Sequence, residues 1–472
     1  MSLPPPPAIP PERRIYANRT LNLRSIRAIG YDMDYTLLHY RVEEWEQGAF
    51  EQARSSLAER GWPVEDLSFD PSTVIRGLTL DLELGNLVKP TRFGYVIKAT
   101  HGTQALDYDR LRKAYHGTIV DLSESRFVFL NTLFSLSEAS LYAQLVDLLD
   151  EGRLPEMRSY ADVYRTVRST IDEAHMEGAL KDRITADPDR FVVPDADTAA
   201  ALLDQQRAGK RLLLITNSGW DYTRRMMPYA LDPHLPDGLT WRDLFEVVIV
   251  SAFKPGFFEG NRPFFEVVDE EQGLLSPHAG PTVPTKVYFG GNAAELEETL
   301  GISGDQILYV GDHLFADVHV SKALLRWRTA LILRELESEV RDQNEFVPSE
   351  QRLQSLMSHK ELMERQLALL HLDRQHAKTA RKGRRDLDAS IEDLRRELSR
   401  LDEEIGPLAR AAGELRNEAW GPLMRSGNDK SLFARQVERY ADVYTSRASN
   451  FLFETPYAFL RAARGSLPHD PS

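Results

Sequence analysis

The sequence has no cysteine among its 472 residues. That absence excludes disulfides, thiolate metal ligands and cysteine nucleophiles together, and a reducing cytoplasm is the expected setting. Nor is there a run of eighteen uninterrupted apolar residues, so no membrane-spanning helix is expected. Met1 to Pro11 holds six prolines and no apolar stretch, which reads as neither a signal peptide nor an anchor. Positive charge is in deficit, with 58 Lys and Arg against 72 Asp and Glu and a formal charge of -14. Such a chain lacks the basic face that displaces counterions from nucleic acid. It also lacks the polybasic character of a membrane-surface protein. Neither nucleic acid nor membrane is therefore expected as a partner. A small anion is still admissible, because a metal or a few local cations outweigh the global field. No internal repeat is found.

Length predicts two or three domains, each able to bury a core. Residues 1–20 read as a proline-rich leader. Ile26 to Tyr31 reads as a short buried strand that ends in the polar run from Asp32 to Thr36. Residues 41–189 form a mixed segment with helical patterns near Glu44–Arg60, Leu136–Leu149 and Ala161–Ile171. Within it, Gly77, Gly85 and Gly94 punctuate β-type stretches. Further strands are predicted at Leu212–Ile215, Glu246–Val250, Val287–Phe289, Ile307–Val310 and Arg328–Leu333, with a helix at Thr198–Ala208. Strands alternating with helices predict a parallel sheet with reactive groups at the strands' carboxyl ends. The core would then be 21–40 with 190–345, and 41–189 an insertion able to cap the site.

Residues 346–472 read as a helical region. Leu387, Ile391, Leu394, Leu398, Leu401, Ile405 and Leu408 step by four and three, as a coiled-coil seam does. An earlier helix carrying Leu353, Leu356, Leu362, Met363 and Leu370 is expected to pack on it. The basic run Lys378 to Arg385, with Gly383, would be the turn. Such a hairpin serves packing or assembly, and a homo-oligomer is expected.

Four segments carry chemistry. Asp32 and Asp34 lie two apart at a strand's end. Two adjacent carboxylates need a cation or a proton between them, which lets one attack phosphorus while the other moves a proton. Thr216, Asn217 and Ser218 follow a second strand and offer a hydroxyl and backbone N–H groups to phosphoryl oxygens. Lys254 follows a third strand and can neutralise phosphoryl charge. Asp312 and Asp317 follow a fourth, and clustered carboxylates suit a hard cation such as Mg²⁺. A zinc site at His313 and His319 is disfavoured, because no third nitrogen ligand or cysteine stands nearby.

In this order the four segments resemble the haloacid dehalogenase-like hydrolases. The resemblance implies a Rossmann-like α/β core with a large α+β cap inserted after the first strand. It also implies Asp32 as the nucleophile, Asp34 as general acid and base, and Thr216 as the phosphoryl ligand. Lys254 would stabilise charge and Asp317 would orient it. Mg²⁺ would sit on Asp32, Asp312 and the main-chain oxygen of Asp34.

The resemblance narrows to the cytosolic purine 5'-nucleotidases, which prefer IMP and GMP. It spans Gly30–Leu37, Arg76–Asn86, Arg126–Glu138, Val167–Lys181, Thr216–Thr223, Lys254–Phe258, Tyr309–Trp327 and Leu423–Tyr444. Arg168, Asp172 and His175 share one helix face by their spacing, and Lys181 follows. A solvated Arg–Asp stripe has the same spacing. By the resemblance these four, with Phe134, would contact a nucleotide. Ser135 stands where the family often has Asn, which keeps another small phosphate ester open as substrate. Matching positions for a nucleotide effector are Asn131, Phe315, Gln436, Arg439 and Tyr440, although Ala323 replaces an expected lysine. Phosphate transfer to a second nucleoside is also implied. The remaining alternative is a helical scaffold with a vestigial site.

Overall fold

The computed structural model describes residues 8–463 apart from 155–156, 177 and 377–380, and side chains within 175–179 and 381–384 also lie outside the description. The chain divides into two compact units. One is Met1–Glu337 with Leu423–Ser472, and the other is Ser338–Pro422.

The larger unit is α/β, as expected. Seven parallel strands form its centre: β1 (Ala28–Tyr31), β2 (Arg211–Ile215), β3 (Val247–Val250), β4 (Val287–Gly290), β5 (Ile307–Gly311), β6 (Arg328–Ile332) and β7 (Val443–Thr445). Their order across the sheet is β7-β6-β5-β1-β2-β3-β4. Val, Ile and Leu dominate because both faces of a parallel sheet are covered. Leu213, Ile249, Ile307 and Tyr309 meet Phe257, Phe258 and Trp327 in one core cluster. Three antiparallel strands extend the edges: Tyr16–Ala17 beside β7, Phe264–Asp269 beside β4, and Leu274–Pro277 beyond it.

Since β7 completes this sheet, residues 423–463 belong with the core and not with the helical region that the sequence suggests for 346–472. A three-residue strand carries too little periodicity to be seen locally.

The chain leaves the core after β1 along His39–Tyr40 and returns along Val192–Val193, and the two segments pair antiparallel as Tyr40↔Val192 and His39↔Val193. Between them lies the insertion. It holds α1 (Val42–Glu59), α2 (Leu136–Asp150), α3 (Tyr160–Met176) and α4 (Gly178–Ala186). It also holds a five-stranded antiparallel sheet ordered 104–105, 96–101, 86–90, 79–81, 127–129. Back in the core, α5 (Ala196–Arg207) and α6 (Trp220–Leu231) flank β2 in sequence.

The smaller unit is a helical hairpin, α7 (Leu336–His376) against α8 (Arg381–Glu414). Leu356, Met363, Leu401 and Ile405 are buried between the helices, with Leu353, Leu394, Leu398 and Leu408 packed around them. Leu362 points outward, 61% exposed, because its neighbour Met363 takes the inner position. Arg352–Glu404, Lys360–Asp402 and Arg374–Asp388 pair across the seam. Gly383 lies inside α8 rather than in a turn, while residues 378–380 of the basic run fall outside the described residues. Among the described residues, no helix is long and apolar enough to cross a membrane. A further helix of the larger unit, α9 (Leu432–Tyr440), precedes β7.

Candidate active site

The carboxyl ends of β1, β2, β3 and β5 meet where the chain's successive strands diverge to either side of β1, the place where open α/β sheets bind ligands. Asp32 directly follows β1, its amide donating to the Val310 carbonyl at 2.9 Å. The extended conformation stops there. Leu37 and Leu38 both donate to the Met33 carbonyl at 2.9 Å, and Tyr35 adopts a positive φ of 54°. Asp34 therefore sits at the head of a tight turn, not in a continued strand.

Lys254, beyond β3, is buried and sends its ammonium to three oxygens. Asp32 Oδ1 and Asp317 Oδ1 lie 2.8 Å away, and Tyr309 Oη lies at 3.0 Å. Tyr309, on β5, passes its own proton to the Ile215 carbonyl at 2.9 Å. Burial would lower the Lys254 pKa, but Asp317 and Asp32 raise it well above the usual value. The lysine is thus a fixed cation.

Asp312 directly follows β5, and Asp317 comes next in the helical turn Leu314–His319. Gly311 permits this arrangement, since a Cβ there would lie 2.4 Å from Asp317 Oδ2. The His313 amide donates to that same oxygen at 3.1 Å.

Ligand oxygens of Asp32, Asp312 and Asp317 all lie within 4.8 Å of one another, and all three residues are buried. Three carboxylates against one ammonium leave negative charge uncompensated. Burial pushes Asp32 up to about 7 despite Lys254, with Asp317 and Asp34 adding to the rise. Burial likewise raises Asp312 well above the carboxylate range. A buried all-oxygen donor set that needs positive charge fits a hard divalent cation. Asp317 supplies the third carboxylate of the group and holds Lys254; the resemblance implies Asp32, Asp312 and the main-chain oxygen of Asp34 as the metal's ligands.

On β2's end, Thr216 is fully buried and its Oγ1 accepts from the Ser218 amide at 3.0 Å. Asn217, read as a substrate contact, braces the Lys254 backbone. Its Nδ2 donates to the Lys254 carbonyl at 3.1 Å and its Oδ1 accepts the Lys254 amide at 2.6 Å. Ser218 Oγ donates to Asp34 Oδ2 at 2.5 Å and accepts from Lys181 Nζ, on α4, at 3.1 Å. Tyr40 donates to Asp34 Oδ1 at 2.5 Å.

Sequence reasoning gave no role to several residues that touch these groups. Thr132 Oγ1 donates to Asp312 Oδ2 at 3.1 Å. Buried Arg76 donates to the Asp312 carbonyl at 3.3 Å and to Glu335 Oε2 at 2.7 Å. Both come from the insertion, and only the resemblance segments that contain them drew attention there. Glu138, also buried, accepts from Arg168 Nη1 at 2.8 Å, while Arg168 Nε donates to Asp172 Oδ2 at 3.1 Å. Arg168 and Asp172 thus form the i,i+4 pair on α3 that their spacing allows. The side chain of His175 lies outside the described residues. Phe134 packs edge-on to Tyr35 at 4.7 Å and Trp45 at 5.4 Å.

Of the effector positions, Phe315 and Tyr440 come together at 6.0 Å, with His319 against Tyr440 at 4.2 Å. The Arg439 guanidinium lies over the Tyr440 ring, Gln436 is buried on α9, and Asn131 donates to the Phe129 carbonyl at 3.3 Å. His313 Nδ1 accepts from the Ala316 amide, and among the described residues neither His313 nor His319 joins the carboxylate cluster.

The sequence profile of the 5' nucleotidase family matches residues 15–472. The chain belongs to the 5' nucleotidase family. It is 30% identical over 455 residues to 5'-nucleotidase domain-containing protein 2 of Homo sapiens, covering 93% of this chain and 81% of that one. A 5'-nucleotidase domain-containing protein of Dictyostelium discoideum is 27% identical over 465 residues, 97% of this chain and 74% of the relative. A solved haloacid dehalogenase-like family hydrolase from Xanthomonas campestris is 12% identical, with a TM-score of 0.25, covering 65% of this chain and 82% of that one. So distant a likeness says nothing about function. As a 5' nucleotidase family member, the chain has relatives named for the domain and not for a purine substrate.

Proposed function

We propose that the chain is a Mg²⁺-dependent 5'-nucleotidase that releases phosphate from purine nucleoside 5'-monophosphates through an aspartyl phosphate on Asp32. The observation that carries this reading is the Lys254 ammonium held between Asp32 and Asp317 beside the third buried carboxylate of Asp312. In-line phosphoryl transfer needs positioning and charge neutralisation above all else.

Asp32 Oδ attacks phosphorus as the bond to the nucleoside O5' breaks, and Asp34 delivers a proton to that oxygen. Asp34, now ionised, takes a proton from water as the water oxygen attacks phosphorus and Asp32 leaves as a carboxylate. Lys254, with Thr216 and Ser218 nearby, offsets charge on the phosphoryl oxygens. Asp32 and Asp312 would hold Mg²⁺, which when bound neutralises phosphoryl and carboxylate charge together. The Arg168–Asp172 pair offers one donor and one acceptor set to a purine edge, and half-buried Phe134 offers a ring to stack on.

The test is phosphate release from IMP, GMP, AMP, pyrimidine monophosphates and sugar phosphates, with Mg²⁺ and with EDTA. Turnover of IMP or GMP that EDTA abolishes is expected. Preference for sugar phosphates would overturn the substrate, and no turnover of any ester would overturn the activity.

A further inference from the structure

Tyr40 was assigned no function from the sequence, yet its hydroxyl ends on Asp34. It sits on the outgoing segment His39–Tyr40, buried, with its ring against Trp45 at 4.4 Å and Tyr35 at 5.2 Å. Its oxygen lies 2.5 Å from Asp34 Oδ1 and 2.9 Å from the Tyr222 hydroxyl on α6. A phenol has one proton to give. If Tyr40 gives its proton to the carboxylate, the Tyr222 proton must point at Tyr40, so the chain of donation runs Tyr222 to Tyr40 to Asp34.

The other carboxyl oxygen is served separately. Ser218 donates to Oδ2 and is itself committed to donation by the Lys181 ammonium, which can only donate. Lys181 also lies 4.9 Å over the Tyr222 ring. The two arms therefore reach opposite oxygens of one carboxyl group and converge again on one lysine.

We propose that Tyr40 is a positioning residue that, backed by Tyr222, fixes the plane of the Asp34 carboxyl for proton transfer to and from the substrate's ester oxygen. The inference rests on the functional reading above, in which Asp34 moves that proton. A single donor at Oδ2 would let the carboxyl turn about its Cβ–Cγ bond. Donors on both oxygens prevent it. Proton transfer is steep in geometry, since donor and acceptor must lie within hydrogen-bond reach in the transition state.

The test is Tyr40→Phe, with kcat/KM measured on IMP and on p-nitrophenyl phosphate. This ratio covers steps only through loss of the alcohol, so the shared hydrolysis of the phosphoenzyme drops out. The nucleoside leaves as a poor leaving group that needs a proton, whereas p-nitrophenolate leaves unaided. A fall of about tenfold or more on IMP is expected, with less than about threefold on the aryl ester, a fraction of what acid–base assistance supplies. Tyr222→Phe should show the same asymmetry at smaller amplitude, and it serves if Tyr40→Phe does not fold. Equal losses on both esters, no loss on either, or a change confined to KM would overturn the inference. Native protein inert on both esters would instead remove the functional reading on which it stands.

Discussion

At the scale of single residues, the site is a problem in charge. Asp32, Asp312 and Asp317 crowd one ammonium, and Asp32→Asn removes the oxygen proposed to attack phosphorus while keeping the shape of the side chain. We expect turnover to fall by at least about a thousandfold, with the melting temperature unchanged or raised as one buried charge disappears. Phosphate assays and calorimetry on the same sample check both halves, and retained activity would deny Asp32 its role. Gly311 is the other residue where little change is tolerated. Gly311→Ala would drive a methyl group against the Asp317 carboxyl. Overpacking of that kind costs about 1–3 kcal/mol, and the displaced carboxylate would release Lys254. A combined loss of stability and turnover is expected in urea titrations and phosphate assays. A variant that keeps native activity would show that the strand end yields more readily than the contact distance suggests.

At the scale of elements, the paired segments His39–Tyr40 and Val192–Val193 join core and insertion, and they bury an imidazole. His39 is 1% exposed, neither ring nitrogen has a hydrogen-bond partner among the described residues, and Asp195 Oδ2 stands 3.8 Å from Nε2. Burial, then the nearby Arg334, pushes this histidine down to about 3. The folded chain thus keeps His39 neutral, while the unfolded chain takes up a proton near pH 6.5. The stability contribution is complete above that pH and is lost as pH falls from about 6.5 toward 3, at up to roughly 1.4 kcal/mol per pH unit. Urea melts at pH 7, 6 and 5 should show a steeper decline for the native chain than for His39→Phe. Parallel declines would mean that the ring finds a partner on protonation. The arginines around it are themselves engaged. Arg447 Nη2 donates to Glu337 Oε1 at 2.7 Å, and Arg447 Nη1 stands 3.4 Å from Asp195 Oδ2.

At the scale of the whole molecule, the hairpin is a separate unit with its own core. Leu401 and Ile405 lie buried in it, and a large-to-small change at such positions costs about 2–5 kcal/mol each. The double variant Leu401→Ala, Ile405→Ala should lose helical circular dichroism on heating well before the native chain does, with phosphate release at moderate temperature unchanged. Loss of activity in step with helix content would tie the hairpin to catalysis.

Much of this architecture could be read locally. Six strands of the parallel sheet announce themselves as apolar runs that stop at polar residues, and four of those stops supply the site. The seam of α8 is legible for the same reason, since a repeat in steps of four and three has one meaning on a helix. The rest depends on partners far away in sequence. Strand β7 is the tripeptide Val443–Thr445, and its pairing with β6 and with Tyr16–Ala17, both far away in sequence, makes it a strand. Tyr309 is one residue of a predicted strand and packs in the core, and nothing local shows that its hydroxyl reaches Lys254. Arg76, Thr132 and Glu138 are ordinary polar residues until the insertion folds back. Leu362 differs from expectation because helical phase decides which of two neighbours faces inward and composition does not report phase, while Gly383 is taken up by α8.

The contacts of Thr132 and Arg76 on Asp312 have a consequence for ancestry and engineering. A trimmed descendant that replaced the whole insertion with a short linker would retain Asp32, Lys254 and Asp317 but leave the loop at Asp312 without its braces. The module that would choose the ester also braces the loop at Asp312, where a cation would have its seat. A chimera that borrows another family's cap to change its diet would have to rebuild that seat as well.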